Sequence, residues 1–177
     1  MPTKNFSSIG GFAVGSTEVV NTQFELKNIS AIHMVSDNFA DASHDKYLVK
    51  RVTDSANNTL QLTLDGTTAL ATNTPALAAD RVAFVKARVF GQETTTNTYV
   101  YATTFDIVVT VSATGVPTVA AAYENIIAAN PPGLEDWSVT PDAIQIGGSP
   151  YFTFEVKSVT SSSTVKWVGL VDITLVS

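Results

Sequence analysis

Two histidines, His33 and His44, with Asp41 and Asp45 beside the second, are the side chains best suited here to hold a metal or move a proton. The spacing Asp41-x-x-His44-Asp45 offers oxygen and nitrogen ligands, but a bound divalent ion needs three or four convergent groups. No second ligand-rich segment supplies them, so the stretch reads as part of a solvated polar loop, residues 34–45, and no metal is expected. Glycoside hydrolysis needs two carboxyl groups about 5–10 Å apart across a cleft. Glu135-Asp136 beside Trp137 is the best local match, since an indole can stack on a sugar. A solvated turn, Pro132-Gly133-Leu134-Glu135-Asp136, before a strand whose tryptophan fills the core explains the same residues better. Gly-x-Ser-x-Gly is absent, so no serine is presented as a nucleophile. Gly10-Gly11 and Gly147-Gly148 are turn glycines without the residues of a phosphate or dinucleotide loop. No catalytic residue and no cofactor are expected. Tyr99, Tyr101 and Tyr151 are candidate receptor-facing aromatics at strand ends, although packing on a strand face is the better account of them.

The elements that would position these groups read as strands. Thr164 to Ser177 alternates Val165, Trp167, Gly169, Val171, Ile173 and Leu175 against Lys166, Val168, Leu170, Asp172, Thr174 and Val176. Arg81–Phe90 puts Ala83, Val85, Ala87 and Val89 on a buried face. Thr98–Ser112 sets Tyr99, Tyr101, Phe105, Ile107, Val109 and Val111 against Ala102, Thr104, Asp106 and Thr110. Tyr151–Val159 alternates in the same way. Shorter strands are predicted at Tyr47–Thr53, Asn58–Leu64, Trp137–Val139 and Ala143–Ile146, with Asp65-Gly66 and Gly147-Gly148 as tight turns. Val119 to Asn130 is ambiguous: its alanines suit a short helix stopped by Pro131-Pro132, while an all-strand context would extend it. Short extended pieces in residues 1–32 predict an attachment or oligomerisation arm, or else an ordinary first hairpin. Its candidate docking contacts are Phe12, Val14, Val20, Phe24, Leu26, Ile29 and Ile32. The expected fold is all-β: a β-sandwich or jelly-roll-like domain over 33–177 with an extended N-terminal arm over 1–32.

Composition bears on partners. Of 177 residues, 45% are hydrophobic and only 15% charged, against roughly 25% charged in ordinary soluble chains. A chain so poor in charge hides surface in an assembly. The net charge of −6 without a lysine–arginine cluster excludes nucleic acid as a partner. No run approaches the roughly 20 apolar residues of a membrane helix, so no membrane insertion is expected. Zero cysteines exclude disulfides and thiolate chemistry. The start, MPTKNFSSIGG, has no apolar signal core, which predicts synthesis in a host cytoplasm.

Several stretches resemble tail-fibre and virion-appendage proteins of tailed bacteriophages, marine ones included. Val85 to Gly91 is similar to a "VxARVxG" strand, followed here by TTFDIVVTVS, a Gly115-Val116-Pro117 turn and the tryptophan strand Asp136 to Val139. Val165 to Val176 resembles a closing strand of the form "ψxWxAxVxxTxV", with Gly169 at the usual small position. Leu64 to Ala69 and GFAVGSTEVVNTQFELKNISAI are similar to further segments of such proteins. Residues 34–45 and 119–133 have no counterpart. The resemblance implies a non-enzymatic structural protein of the virion, a homotrimer displayed as a capsid decoration, knob or fibre and docked on other capsid or tail proteins through its arm. A tail-fibre tip that binds a host surface glycan or protein receptor is the alternative, and a monomeric lectin-like module a third.

Overall fold

The computed structural model describes residues 12–14, 17–20, 29, 31–36, 39–54, 59–94, 99–130, 137–158 and 164–176. The chain divides into two compact units, Met1–Ser30 and Ala31–Ser177. In the first, β1 (Phe12–Val14) and β2 (Thr17–Val20) form an antiparallel hairpin with Phe12 opposite Val20. Phe24 and Leu26 lie outside the described residues, and Ile29 is half-buried.

The second unit is an all-β sandwich. One sheet has the order β3–β4–β11–β6–β7–β8, built from Ala31–Ser36, Phe39–Thr53, Val165–Val176, Arg81–Glu93, Val100–Val111 and Pro117–Asn130. The other has the order β5–β10–β9, from Thr59–Gln61, Ser149–Lys157 and Ser138–Ile146. Every pairing is antiparallel. The two inner faces meet in one core, where Phe105 of β7 lies 5.0 Å from Phe154 of β10, centroid to centroid. The alternation in β6, β7 and β11 is regular because only one face of each is covered.

Strand β11 sits between β4 and β6 and is paired along its whole length with both. Its Trp167 is 1% exposed and donates through Nε1 to Thr53 Oγ1 at 2.9 Å. The rings of Tyr101 and Trp137 stand 6.1 and 5.7 Å from it. Gly91 is its register partner on β6, and a Cβ there would lie 2.5 Å from the indole. Gly169 is tight for the same reason, since its Cβ would come within 2.8 Å of Val49 Cγ2.

Two expectations change, and one open alternative is decided. The described residues among 34–45 are not a loop: 34–36 belong to β3 and 39–45 to β4, which pair antiparallel with His33 opposite Asp45 and Met34 opposite His44. Two of the polar residues find partners on neighbouring strands: Asp45 bonds His33 across the β3–β4 pairing, and His44 bonds Thr174 of β11. Of the two alternatives left open for residues 119–130 the extended one holds, since β8 pairs along all of β7. As an edge strand it is wet on both faces over 121–127, which removes any periodic pattern. Ile32, expected in the arm, pairs with Lys46 in the second unit.

The Asp65-Gly66 turn is the best-bonded loop described. Asp65 Oδ1 accepts from Thr67 Oγ1 at 2.8 Å, Thr67 N at 2.9 Å, Asn73 Nδ2 at 3.0 Å and Thr63 Oγ1 at 3.2 Å. These donors, the Thr67 backbone first, bring its carboxyl from 3.8 down to about 2. Gly66 takes the left-handed backbone at φ 79° that the turn requires.

Two outcomes follow from this packing. Gly91→Ala forces the indole or the strand to move and costs about 1–3 kcal/mol, read as a lower urea midpoint. Because the folded Asp65 carboxyl titrates below its ordinary value, its stabilising contribution is complete above about pH 4. It fades as pH falls through about 2. Carboxyl NMR titration should place Asp65 near 2, and Asp65→Ala should remove that part of the acid dependence.

Candidate self-association face

The outward residues of the six-stranded sheet form the largest unusual surface described. Leu48 and Val52 come from β4, and Val168, Leu170 and Val176 from β11. Val82, Phe84 and Phe90 come from β6, and each of the eight is 39–54% exposed. Four central strands about 4.8 Å apart and twelve residues long span about 800 Å² in projection. The apolar side chains lie on both sides of a line of charged ones, so the face is half-apolar, with more exposed aliphatic and aromatic groups than a strand face in water needs.

The register sets a neutral row of charge across this face, beside which Lys50, Lys166 and Arg88 add positive charge. Lys46 lies opposite Asp172, Asp172 opposite Lys86, and Lys86 opposite Asp106. One row across β4, β11, β6 and β7 therefore reads plus, minus, plus, minus. Lys46 Nζ is 3.6 Å from Asp172 Oδ1, and Lys86 Nζ is 3.7 Å from Asp106 Oδ1. His44 lies on the same face, sharing a 2.9 Å hydrogen bond with Thr174 Oγ1 and standing 3.8 Å from Asp172. Exposed pairs like these contribute little stability. Their effect is to set a pattern of charge.

Strand alternation separates the residues first considered as metal ligands. His44 points outward, while Asp45 points inward at 3% exposure, bonded through Oδ1 to Nδ1 of His33. This pair lines a hollow of about 350 Å³ with Tyr47, Arg81, Leu77 and Leu175. Burial, and then the charge of Asp45, push the Tyr47 hydroxyl up to about 12, so it stays protonated. No cluster of three or more metal-ligating side chains converges among the described residues. The His33–Asp45 pair is hidden in the linear sequence because a hairpin brings together residues twelve apart. Paired polar residues at matching positions about a turn are the available signal.

The aromatics considered for a receptor are not at the surface as a group. Tyr101 is 4% exposed and donates to Glu124 Oε1 at 3.0 Å, and Tyr151 is 8% exposed. Tyr99 is half-buried against the core. Their rings are packing elements, the alternative favoured by the sequence. Trp137 is buried at 3%, while Glu135 and Asp136 lie outside the described residues.

No protein-family model matches the chain, and no curated protein matches it. Among solved structures it is similar to the tailspike protein of Acinetobacter baumannii bacteriophage Fri1, a capsular polysaccharide depolymerase. The identity is 14% and the TM-score 0.41, over 85% of this chain and 22% of that one. It is also similar to the tailspike protein of Acinetobacter baumannii phage AM24, at 15% identity and a TM-score of 0.36, over 81% of this chain and 27% of that one. The chain thus spans about a quarter of the length of the tailspikes it matches. Similarity at this level carries no argument about activity.

Replacing His33 by alanine strips the buried Asp45 carboxylate of its described partner. The expected loss is about 1–3 kcal/mol in urea unfolding at neutral pH, whereas His44→Ala on the wet face should cost under about 0.5 kcal/mol.

Proposed function

We propose that this chain is a non-enzymatic structural protein of a tailed-phage virion. It assembles as a homotrimer displayed on the particle as a decoration, knob or fibre protein, and its N-terminal unit docks it to neighbouring virion proteins. The observation that carries self-assembly is the outer sheet face: about 800 Å² in projection of half-apolar surface crossed by a balanced row of charge, close to what each partner of a stable complex buries. Water contact over such a surface is costly, and association removes it. The low charge content supports the same reading, since 15% charged residues are too few to keep every face of a free monomer polar.

The virion setting rests on the strand motifs. In the "VxARVxG" stretch, the glycine is Gly91, and in the closing stretch the tryptophan is Trp167. These two stand in register against each other. Both motifs therefore describe one packing solution, which supports treating them as a joint resemblance rather than two separate coincidences. The reading as non-enzymatic rests on the sequence, which holds no nucleophile elbow, no thiol and no phosphate loop. Burial of Tyr101 and Tyr151 leaves the receptor-binding alternative without the aromatic surface it was built on.

Size-exclusion chromatography with light scattering tests the assembly. Three copies of 18.7 kDa give about 56 kDa, the expected mass at micromolar concentration. A monodisperse species at 18.7 kDa overturns the proposal.

A further inference from the structure

We infer that the outer face of the six-stranded sheet receives the same face of another copy of this chain, turned about an axis parallel to the strands midway between β11 and β6. The inference rests on the self-assembly proposed above and names the surface and the pairing. Its basis is the order of charge in the row Lys46, Asp172, Lys86, Asp106. Rotation about that axis brings each strand against its mirror position in the row. Lys46 then meets Asp106 of the second copy, and Asp172 meets Lys86. All four charges gain an opposite partner.

Other axes fail on the same residues. An axis running along β11 itself sets Lys46 against Lys86 and Asp172 against Asp172. An axis crossing the strands sets every member of the row against its own copy, lysine on lysine and aspartate on aspartate. Like charges pressed together out of water are strongly unfavourable, so the row selects one orientation as much as it attracts. The apolar residues agree with the selected axis. Val168 and Phe90, partners in the β11–β6 register, become partners between copies, as do Val176 and Val82. Arg88, Lys50 and Lys166 lie to one side of the row, toward the start of β11, and the same rotation sets them against Leu170, Ala102 and Gln92 of the second copy, with no like charge opposite but no carboxylate either. A two-fold contact uses the whole face and closes a pair, whereas a three-fold axis parallel to the strands keeps only the outer part of this pairing, β4 of one copy against β7 of the next. In the proposed trimer the contact retained is therefore Lys46 against Asp106.

The chain has no cysteine, which gives a clean test. Lys46 and Asp106 stand three strands apart, about 14 Å, too far for a disulfide within one chain. The Lys46→Cys, Asp106→Cys double variant, oxidised in its native assembly, should give a covalently closed oligomer on a non-reducing gel. Lys46→Cys alone should stay single. A charge test runs beside it: Lys46→Asp should weaken assembly at least tenfold, and adding Asp106→Lys should restore it. Circular dichroism confirms that each variant retains its strands. If the parent protein forms trimers but the double-cysteine variant does not cross-link, this face is overturned, and the trimer stands on another surface. Cross-linking by Lys46→Cys alone also overturns it, by showing the crossed axis. A monomeric parent protein overturns both.

Discussion

A single indole sets the geometry of the sandwich. Trp167 stands at the middle of the sheet order, on the strand that joins β4 to β6, and it occupies the volume where a side chain on Gly91 would be. Slipping β11 by one residue against β6 would put the ring against Gln92 or Phe90 and turn its apolar face outward. The register is therefore fixed by shape, and the bond from the ring nitrogen to Thr53 fixes it a second time on the β4 side. The outer face inherits its order from that register. The charge row exists only because three pairings, β4–β11, β11–β6 and β6–β7, are each held in step.

Much of this is legible in the amino-acid sequence. The long strands with one covered face announce themselves by alternation, and β6, β7, β10 and β11 fall within a few residues of their predicted bounds. Tyr101 is legible too, because it shares parity with Phe105, Ile107 and Val109, all interior. What stays hidden depends on partners distant in sequence. Ser43, His44 and Asp45 look like a solvated loop until β3 and β11 are placed on either side of them. The alanines and isoleucines of β8 show no period because neither face of an outermost strand is covered over 121–127. The row of alternating charge is invisible for a related reason. Its four members are scattered from position 46 to position 172, and only strand order assembles them.

The two polar groupings differ in physical character. His33 and Asp45 are a structural pair, one carboxylate withdrawn from water and one imidazole that holds the β3–β4 hairpin together at its inner side. The Lys–Asp row is solvated, weak in itself and informative only when another surface approaches. A chain that is 15% charged has few such residues to place. Four of them stand in one line on its most apolar face, a distribution suited to recognition more than to solubility.

The aromatic cluster has a spectroscopic consequence. The chain holds two tryptophans, and their rings stand 5.7 Å apart in the same interior spot. Trp167 is hydrogen-bonded to Thr53, whereas the Trp137 nitrogen is buried with no partner among the described residues. Intrinsic fluorescence is therefore a single-point reporter: blue-shifted while the β11 seam is closed, and silent about the outermost strands. Fraying of β3 or β8 would pass unseen in an emission scan, so light emission and amide exchange would describe two different layers of the same molecule.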